Sequence, residues 1–246
     1  MTTTQEAIME LYTSLDLPFP GPDWPVAPLG PLLARLPIRC IELPALTCQS
    51  AQDYLLRCGA LGERLALDDA AQEHDPLAGF AYQGGECAFL FVNGDDPVVR
   101  RRFSMAHELG HYVLHFRPTL LRWREALAAG EEITAFVFDA FTQRDIENAE
   151  DDARGQDYVQ REREADDFAA SLLLPPDLVA SRSAALRDVF LTDPAGLEER
   201  LAMEFLVSRA AMRRRLGSIQ NNVFKNSSPD LSSPDLNSLG NGGPRA

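Results

Sequence analysis

Apolar and polar positions follow two different periods along the chain. Alternating side chains predict a strand over Ile38–Leu43, and two further runs at 79–83 and 87–92 predict a pair of strands joined by Gly84-Gly85 as a hairpin turn. Apolar residues three and four apart predict helices over 5–16, 29–36, 50–58, 98–116, 158–174, 177–190 and 195–218. The pattern therefore predicts an α+β fold with a small β-sheet.

The predicted helix over 98–116 carries the strongest helix signals. Asp96 followed by Pro97 predicts an N-cap and a first helical residue. The helix should bury one side, because an apolar stripe runs through Ala106, Leu109, Gly110, Val113 and Leu114. Gly110 costs about 1 kcal/mol in a helix interior, so we expect a neighbouring element to approach closely there.

Within this helix, His107, Glu108 and His111 form the HExxH pattern. Residues four apart lie on one helix face, about 6 Å apart along the axis, so both imidazoles can reach one metal ion. Glu108 lies about 100° further round, where a general base for a metal-bound water belongs. A solvated histidine-rich helix could carry the same short motif, but it would not carry the buried stripe. The spacing therefore predicts a catalytic zinc site.

Composition and charge narrow the function classes. The chain has 246 residues, of which 24% are charged, and its net charge is −14, which disfavours bulk attraction to nucleic acid or anionic membranes. No basic segment precedes an apolar run at the N-terminus, and no apolar stretch is long enough to span a bilayer. The cysteines show neither CxxC spacing nor the density of a disulfide scaffold. We therefore expect a cytoplasmic protein with reduced thiols and no membrane contact.

A catalytic zinc site needs a third protein ligand. His115 lies two turns, about 12 Å, along the axis from His107, so one ion cannot bind both of them and His111 from a straight helix. The predicted helix over 158–174 places acidic residues at the margin of its apolar stripe. Spacing alone leaves three of these carboxylates open as the third ligand: Glu162, Glu164 and Asp167.

Two segments together resemble the ImmA/IrrE family of bacterial metallopeptidases. They are residues 102–111, RFSMAHELGH, and residues 164–175, EADDFAASLLLP, and the resemblance extends over roughly residues 80–218. It implies a zincin-like minimal metallopeptidase domain, made of a small β-sheet and active-site helices, with a gluzincin-like site. In that site His107, His111 and Glu164 would bind one zinc ion per chain, and Glu108 would be the catalytic base.

The resemblance also implies a substrate class and a cellular role. The usual substrate of the family is a helix-turn-helix (XRE-like) transcriptional repressor, and its cleavage relieves repression of stress-response, mobile-element or defence genes. This chain departs from the family pattern because the interval between His111 and Glu164 is longer than usual. The insertion at 117–157 is expected to be a lid, a specificity element or a regulatory flap.

Four further side chains are candidates for accessory roles at the site. Tyr112, Tyr158 and His115 are candidate donors to the oxyanion, and the sequence does not rank them. Cys87 begins the strand that leads to the metal helix, so its thiolate is a candidate inhibitory ligand at the open position of the zinc. The alternative for Cys87 is a small buried hydrophobic residue.

The segment 196–217 has the pattern of helix, turn and helix. Ser208 is expected to cap the second helix, and Arg209, Arg213 and Arg214 make that helix basic. One interpretation is a recognition helix that contacts nucleic acid, and the other is packing with cations near a helix C-terminus. The competing function is therefore a non-catalytic, zinc-containing regulator that acts through this segment.

These elements predict four parts of the chain. Residues 1–60 form an N-terminal helical and strand segment that packs on the core, and residues 61–176 form the metallopeptidase core with its insertion. Residues 177–220 form the C-terminal helical segment. Residues 221–246 are rich in Ser, Asn, Pro, Asp and Gly, cannot bury enough apolar surface to become ordered, and are expected to form a disordered tail.

Overall fold

The computed structural model describes residues 3–61, 74–84, 87–129 and 153–227. Its helices are α1 (Thr4–Ser14), α2 (Leu29–Ala34), α3 (Cys48–Arg57), α4 (Val98–His111), α5 (Arg117–Ala128), α6 (Ala153–Leu173), α7 (Pro176–Leu186), α8 (Pro194–Phe205) and α9 (Arg209–Ser227), and its strands are β1 (Ile38–Leu43), β2 (Gly79–Gly84) and β3 (Cys87–Asn93). A π-helical turn, Tyr112–Phe116, joins α4 to α5. The predicted α+β class is confirmed. Gly85 of the predicted turn and residues 130–152 of the predicted insertion lie outside the described residues.

Strand β3 is the centre of a three-stranded sheet with the order β1-β3-β2. It pairs in parallel with β1, where Ile38 lies opposite Ala88, and antiparallel with β2, where Gly79 lies opposite Val92. The chain leaves β3 beyond Asn93 and enters α4 a few residues later. The start of β2 at Gly79 therefore lies at the end of the sheet from which α4 departs.

The two faces of the sheet pack against different apolar clusters, because successive side chains of a strand point to opposite faces. Ala88 and Leu90 belong to the larger cluster, which also contains residues of α4 and α6. Phe89 and Phe91 belong to a smaller cluster with Leu55 of α3. The larger cluster includes buried residues of α1, α2, α4, α6, α7, α8 and α9. The predicted N-terminal and C-terminal parts therefore share one core with the HExxH helix.

Helix α4 begins at Val98, at the start of the predicted range, but its N-cap differs from the predicted one. Pro97, with φ −55° and ψ 147°, is the N-cap, and no side chain caps the helix. Asp96 instead forms an ion pair with Arg100 at 3.3 Å, while the carboxylate of Asp95 accepts a hydrogen bond from the backbone N–H of Ala45 at 2.8 Å. The predicted aspartate cap is therefore wrong, because both carboxylates have other partners.

Helices α4 and α6 pack closely at Gly110, as the sequence predicted. A Cβ atom at this position would lie 3.1 Å from Cα of Ala165 and 3.2 Å from Cβ of Phe168. Ala165 and Phe168 are completely buried. The missing side chain thus allows α6 to approach the HExxH helix, and this approach sets the distance between the candidate site residues of the two helices.

The C-terminal helices α8 and α9 are joined by a short turn. Leu206 ends α8 in the left-handed conformation, with φ 52°, and the hydroxyl of Ser208 accepts a hydrogen bond from the backbone N–H of Ala211 at 3.1 Å. The predicted cap is therefore confirmed. Helix α9 continues to Ser227, so the expectation of a disordered tail is wrong for 221–227, and residues 228–246 lie outside the described residues.

No helix within the described ranges has both the length and the apolar character needed to cross a bilayer.

Candidate metal centre

Three side chains from α4 and α6 converge on one point. His107 and His111, one turn apart on α4, bring their Nε2 atoms within 3.0 Å of each other. Glu162 of α6 contacts both rings, with Oε2 at 3.2 Å from Nε2 of His107 and Oε1 at 3.0 Å from Nε2 of His111. One donor atom from each of the three residues lies within 4.8 Å of the others.

The donor set fits a divalent cation. Two imidazole nitrogens and a carboxylate oxygen are ligands that zinc binds in catalytic sites. At least one of the two facing Nε2 atoms must present a lone pair rather than a proton at 3.0 Å, and Glu162 adds negative charge beside them. The cluster therefore has the charge and the lone pairs that a shared metal ion would satisfy.

The prediction of Glu164 as the third ligand is wrong, because Glu162 occupies that place. Positions on an α-helix differ by about 100° per residue, so Glu164 lies about 200° round α6 from Glu162. Its carboxylate accepts a hydrogen bond from Gln160 at 2.8 Å and lies 3.9 Å from Nε2 of His115. Asp167, the third alternative from the sequence, is exposed and is not part of the cluster.

Asp166 is a functional candidate that the sequence alone did not indicate. Its carboxylate accepts a hydrogen bond from Nδ1 of His107 at 2.9 Å, which leaves Nε2 free to face the metal position. Burial would lower the pKa of His107, but the hydrogen bonds to Asp166 and Glu162 raise it to about 10. The signal in the sequence was the spacing, since residues four apart share a helix face and Asp166 follows Glu162 by four.

The two histidines also change the protonation of Glu162. Burial alone would raise the pKa of this carboxyl group, but hydrogen bonds to His107 and His111 hold it well below its usual range. Glu162 is therefore an anion next to the two rings, as a carboxylate ligand must be.

Glu108 lies beside this cluster and is 7% exposed. A Cβ atom at Gly79 would lie 2.3 Å from Oε1 of Glu108, so the carboxylate occupies space that any side chain on the start of β2 would fill. Burial raises the pKa of Glu108, against the opposing effect of the nearby histidines. A raised pKa makes this carboxylate a stronger base than an exposed glutamate near neutral pH.

Cys87 is not at the metal site, and the prediction that it caps the metal is wrong. It packs against the smaller cluster, on the face of the sheet with Phe89 and Phe91, whereas α4 lies on the other face. The alternation of strand side chains decides this, since Cys87 and Ala88 point in opposite directions. Cys40 of β1 lies on the α4 side instead; burial, with the charges of Glu42 and Glu108, raises its pKa to about 11.

The structure separates the three candidate oxyanion donors. Tyr112 belongs to the apolar core and is 3% exposed. The ring of His115 lies 5.5 Å from that of His111, and burial, with the nearby His111, lowers the pKa of His115. The side chain of Tyr158 lies outside the described residues. Which residue stabilises the oxyanion stays a prediction.

The basic residues of α9 have different surroundings. Arg209 and Arg213 both form ion pairs with Glu198 of α8, at 3.5 and 3.0 Å, and these contacts link the two helices. Arg214 is exposed and faces a cavity between α4, α6 and α9. Nucleic-acid contact through these arginines stays a prediction, and two of the three cations already have a partner in the chain.

Comparison with known proteins identifies the region that contains the HExxH segment. Residues 58–140 match the family model described as the IrrE N-terminal-like domain, Peptidase_M78. The matched region includes His107, Glu108 and His111 but ends before α6. No curated protein matches the chain significantly.

Proposed function

The chain carries an IrrE N-terminal-like domain of the ImmA/IrrE family, and from this premise we propose that it is a zinc-dependent endopeptidase. The observation that carries the proposal is the convergence of His107, His111 and Glu162 beside the buried carboxylate of Glu108. A purely structural zinc site would be closed by a fourth protein ligand. Among the described residues, only these three form a group able to bind a metal ion.

The side chains of this site would bind the metal ion, orient its ligands and transfer a proton during peptide hydrolysis. His107, His111 and Glu162 would hold the ion, and Asp166 would fix the ring of His107 through Nδ1. When bound, a divalent zinc ion polarises water and the scissile carbonyl group. Glu108 would accept a proton from the attacking water at a carboxylate oxygen and donate it to the leaving amine. The contact with Gly79 keeps this carboxylate beside the sheet and out of bulk water.

The substrate that we propose is a helix-turn-helix transcriptional repressor, whose cleavage would relieve repression of stress-response, mobile-element or defence genes. The support for this substrate is the family resemblance of the chain. The test is co-expression with a small helix-turn-helix protein encoded next to this chain, followed by zinc-dependent cleavage in the purified mixture. Loss of cleavage on chelation and its return with added zinc are the expected results, whereas an intact repressor with zinc present contradicts this substrate.

The activity itself is tested by Glu108→Gln. The variant keeps the size and burial of the side chain but removes its basicity, so we expect zinc binding to be unchanged and proteolysis to fall by a factor of about 10² to 10⁴. Zinc content is measured after dialysis, and cleavage is followed on the same preparation. Glu164→Gln is a matched control, because that carboxylate lies away from the cluster, and it should retain cleavage. Full activity in Glu108→Gln would rule out the proposed mechanism.

A further inference from the structure

A cavity of about 520 Å³ opens beside the metal centre, between α4, α6 and α9. Asp166, which binds Nδ1 of His107, lines one part of it, and so does Phe103, whose ring lies 6.5 Å from that of His107. Its volume is in the range of cavities that bind small ligands or single side chains. The cavity is therefore adjacent to the candidate metal centre and shares Asp166 with it, although none of the three candidate ligands lines the cavity.

The walls of this cavity combine apolar side chains with acidic and basic ones. Its apolar lining comes from all three helices and the turn before α9, including Val99, Phe103, Leu173, Leu174, Val207 and Ala211. Such a lining stabilises a bulky apolar side chain by removing it from water. The occupant should therefore present an apolar group to the cavity.

Most of the charged side chains around the cavity interact with another residue. Asp166 accepts a hydrogen bond from Nδ1 of His107, Arg100 pairs with Asp96, and burial lowers the pKa of Arg215 while the charge of Asp167 opposes this effect. Arg214 is exposed and lines the cavity, and among the described residues it has no ion pair or hydrogen bond. In a chain with a net charge of −14, this leaves a local cation beside an apolar pocket, which is complementary to a carboxylate.

From these contacts we infer that the cavity is a specificity site of the proposed peptidase. It binds the part of the substrate polypeptide next to the scissile bond, and it selects a bulky apolar side chain adjacent to an acidic one. The apolar side chain enters the cavity, and the carboxylate pairs with Arg214. Helix α9 thus forms a wall of the substrate site. This inference depends on the proposed function for the identity of the occupant, but its test measures binding and not cleavage.

The test uses the full chain with Glu108→Gln, loaded with zinc, so that bound peptides remain intact. Short fluorescein-labelled peptides of glycine and serine carry one central pair: leucine with aspartate, leucine with asparagine, or serine with aspartate, each in both orders. Fluorescence anisotropy gives the dissociation constants. We expect the leucine–aspartate peptide to bind about fivefold more tightly than the asparagine peptide. Against the serine peptide, we expect a preference of about tenfold or more.

Two further substitutions, each with a control, separate the contribution of Arg214 to peptide binding from that of the apolar lining. Arg214→Glu should abolish the preference for aspartate over asparagine, whereas Arg187→Glu, an exposed arginine outside the cavity, should leave it unchanged. Ser218→Trp, at an exposed position of the lining, should fill the cavity and weaken all leucine peptides. Gln220→Trp, exposed on the same helix but outside the lining, is its control.

Equal affinities for the three residue pairs, or no binding of any peptide, would overturn the inference. The inference would also be overturned if the leucine–aspartate peptide bound only after deletion of residues 228–246. This segment carries Asp230-Leu231 and Asp235-Leu236, and such a result would mean that it occupies the cavity itself. Selective binding without any proteolysis by the unsubstituted chain would instead count against the peptidase function while leaving the binding site in place. Proteolysis without the predicted selectivity would refute only the cavity assignment.

Discussion

Glu162 and Glu164 carry the same functional group two residues apart, yet α6 directs them to different neighbours. Glu162 contacts both imidazoles of the HExxH helix. Glu164 instead accepts a hydrogen bond from Gln160 and lies 3.9 Å from Nε2 of His115. Ala165 and Asp166 lie on the same face as Glu162, three and four residues further on, and they also contact α4. The face of α6 that packs on α4 is therefore the face that carries the candidate ligand.

Glu162→Gln and Glu164→Gln form a matched pair that tests this assignment. Glu162→Gln removes the anionic ligand, so its zinc affinity should fall by more than the roughly 10–100-fold lost when an outer partner of a ligand is removed. Glu164→Gln should bind zinc as the unsubstituted chain does. Affinities are measured by competition with a chromophoric chelator. A loss confined to Glu164→Gln would restore the assignment made from the family resemblance.

At Gly79, the absence of a side chain leaves room for Glu108, the proposed general base. Replacing it by alanine would place a Cβ atom 2.3 Å from Oε1 of Glu108, so the carboxylate would have to turn away from its place beside the histidines. We predict that Gly79→Ala lowers the cleavage rate on the order of 100-fold, with zinc binding retained because no ligand moves. Repressor cleavage and zinc content are the measurements.

The control for Gly79→Ala is Gly21→Ala, since a Cβ atom at Gly21 meets nothing within 4 Å. This variant should cleave at the unsubstituted rate. Equal activity of Gly79→Ala and Gly21→Ala would show that Glu108 functions in another position.

The crossing of α4 and α6 is the structural element on which the site depends. The approach at Gly110 places α6 so that Glu162 faces His107 and His111. Immediately after His111 the helix becomes π-helical over Tyr112–Phe116, a distortion that is frequent at functional sites. The apolar pattern predicts one straight α-helix over 98–116, so it does not predict this turn.

Gly110→Ala tests the crossing because two effects of opposite sign compete. Alanine favours a helix over glycine by about 1 kcal/mol, but the added methyl group would lie 3.1 Å from backbone atoms of α6, and overpacking a core costs about 1–3 kcal/mol. We expect the contact to prevail, so that stability and zinc affinity both fall. Chemical denaturation and chelator competition provide the two values.

Gly30→Ala is the matched helical control, because nothing lies within 4 Å of a Cβ atom at Gly30. It should leave stability unchanged or raise it by up to about 1 kcal/mol. A Gly110→Ala variant that is as stable as Gly30→Ala and binds zinc normally would mean that the close approach is not required.

At the level of the whole chain, the C-terminal helices belong to the same core as the metal helices. Met212 of α9 and Leu11 of α1 are completely buried members of the cluster that also contains Leu109 and Phe168. Ion pairs from Arg209 and Arg213 to Glu198 connect α9 to α8. These contacts favour a C-terminal segment that is an integral part of the peptidase fold.

Met212→Ala should therefore destabilise the whole chain. Removing a fully buried methionine side chain costs about 2–5 kcal/mol, and we expect one unfolding transition, shifted to lower denaturant concentration, when near-UV and far-UV signals are compared. Met203→Ala is the matched control: Met203 is 66% exposed, so its loss should change stability by no more than about 0.5 kcal/mol. Two separate transitions, of which Met212→Ala shifts only one, would show that α8 and α9 fold independently.

Local sequence patterns predicted many of the helices and strands, because these elements depend on interactions between residues that are close in sequence. The strand Ile38–Leu43 was predicted with its observed bounds, the close approach at Gly110 followed from the presence of glycine in a helix interior, and Ser208 was predicted as a cap. The HExxH spacing placed His107 and His111 on one helix face, where the structure finds them. All of these depend on distances along a single element, which the helix and strand geometry fixes.

Contacts between different helices and strands could be identified only from the folded structure. Glu162, Glu164 and Asp167 are equivalent acids at the edge of one stripe, and only the rotation of α6 about its axis selects Glu162. In the same way, the side of the sheet on which α4 packs separates Cys87 from the metal centre and brings Gly79 to Glu108. Such choices depend on how helices and sheets orient against one another, and residue spacing within one segment contains no information about that orientation.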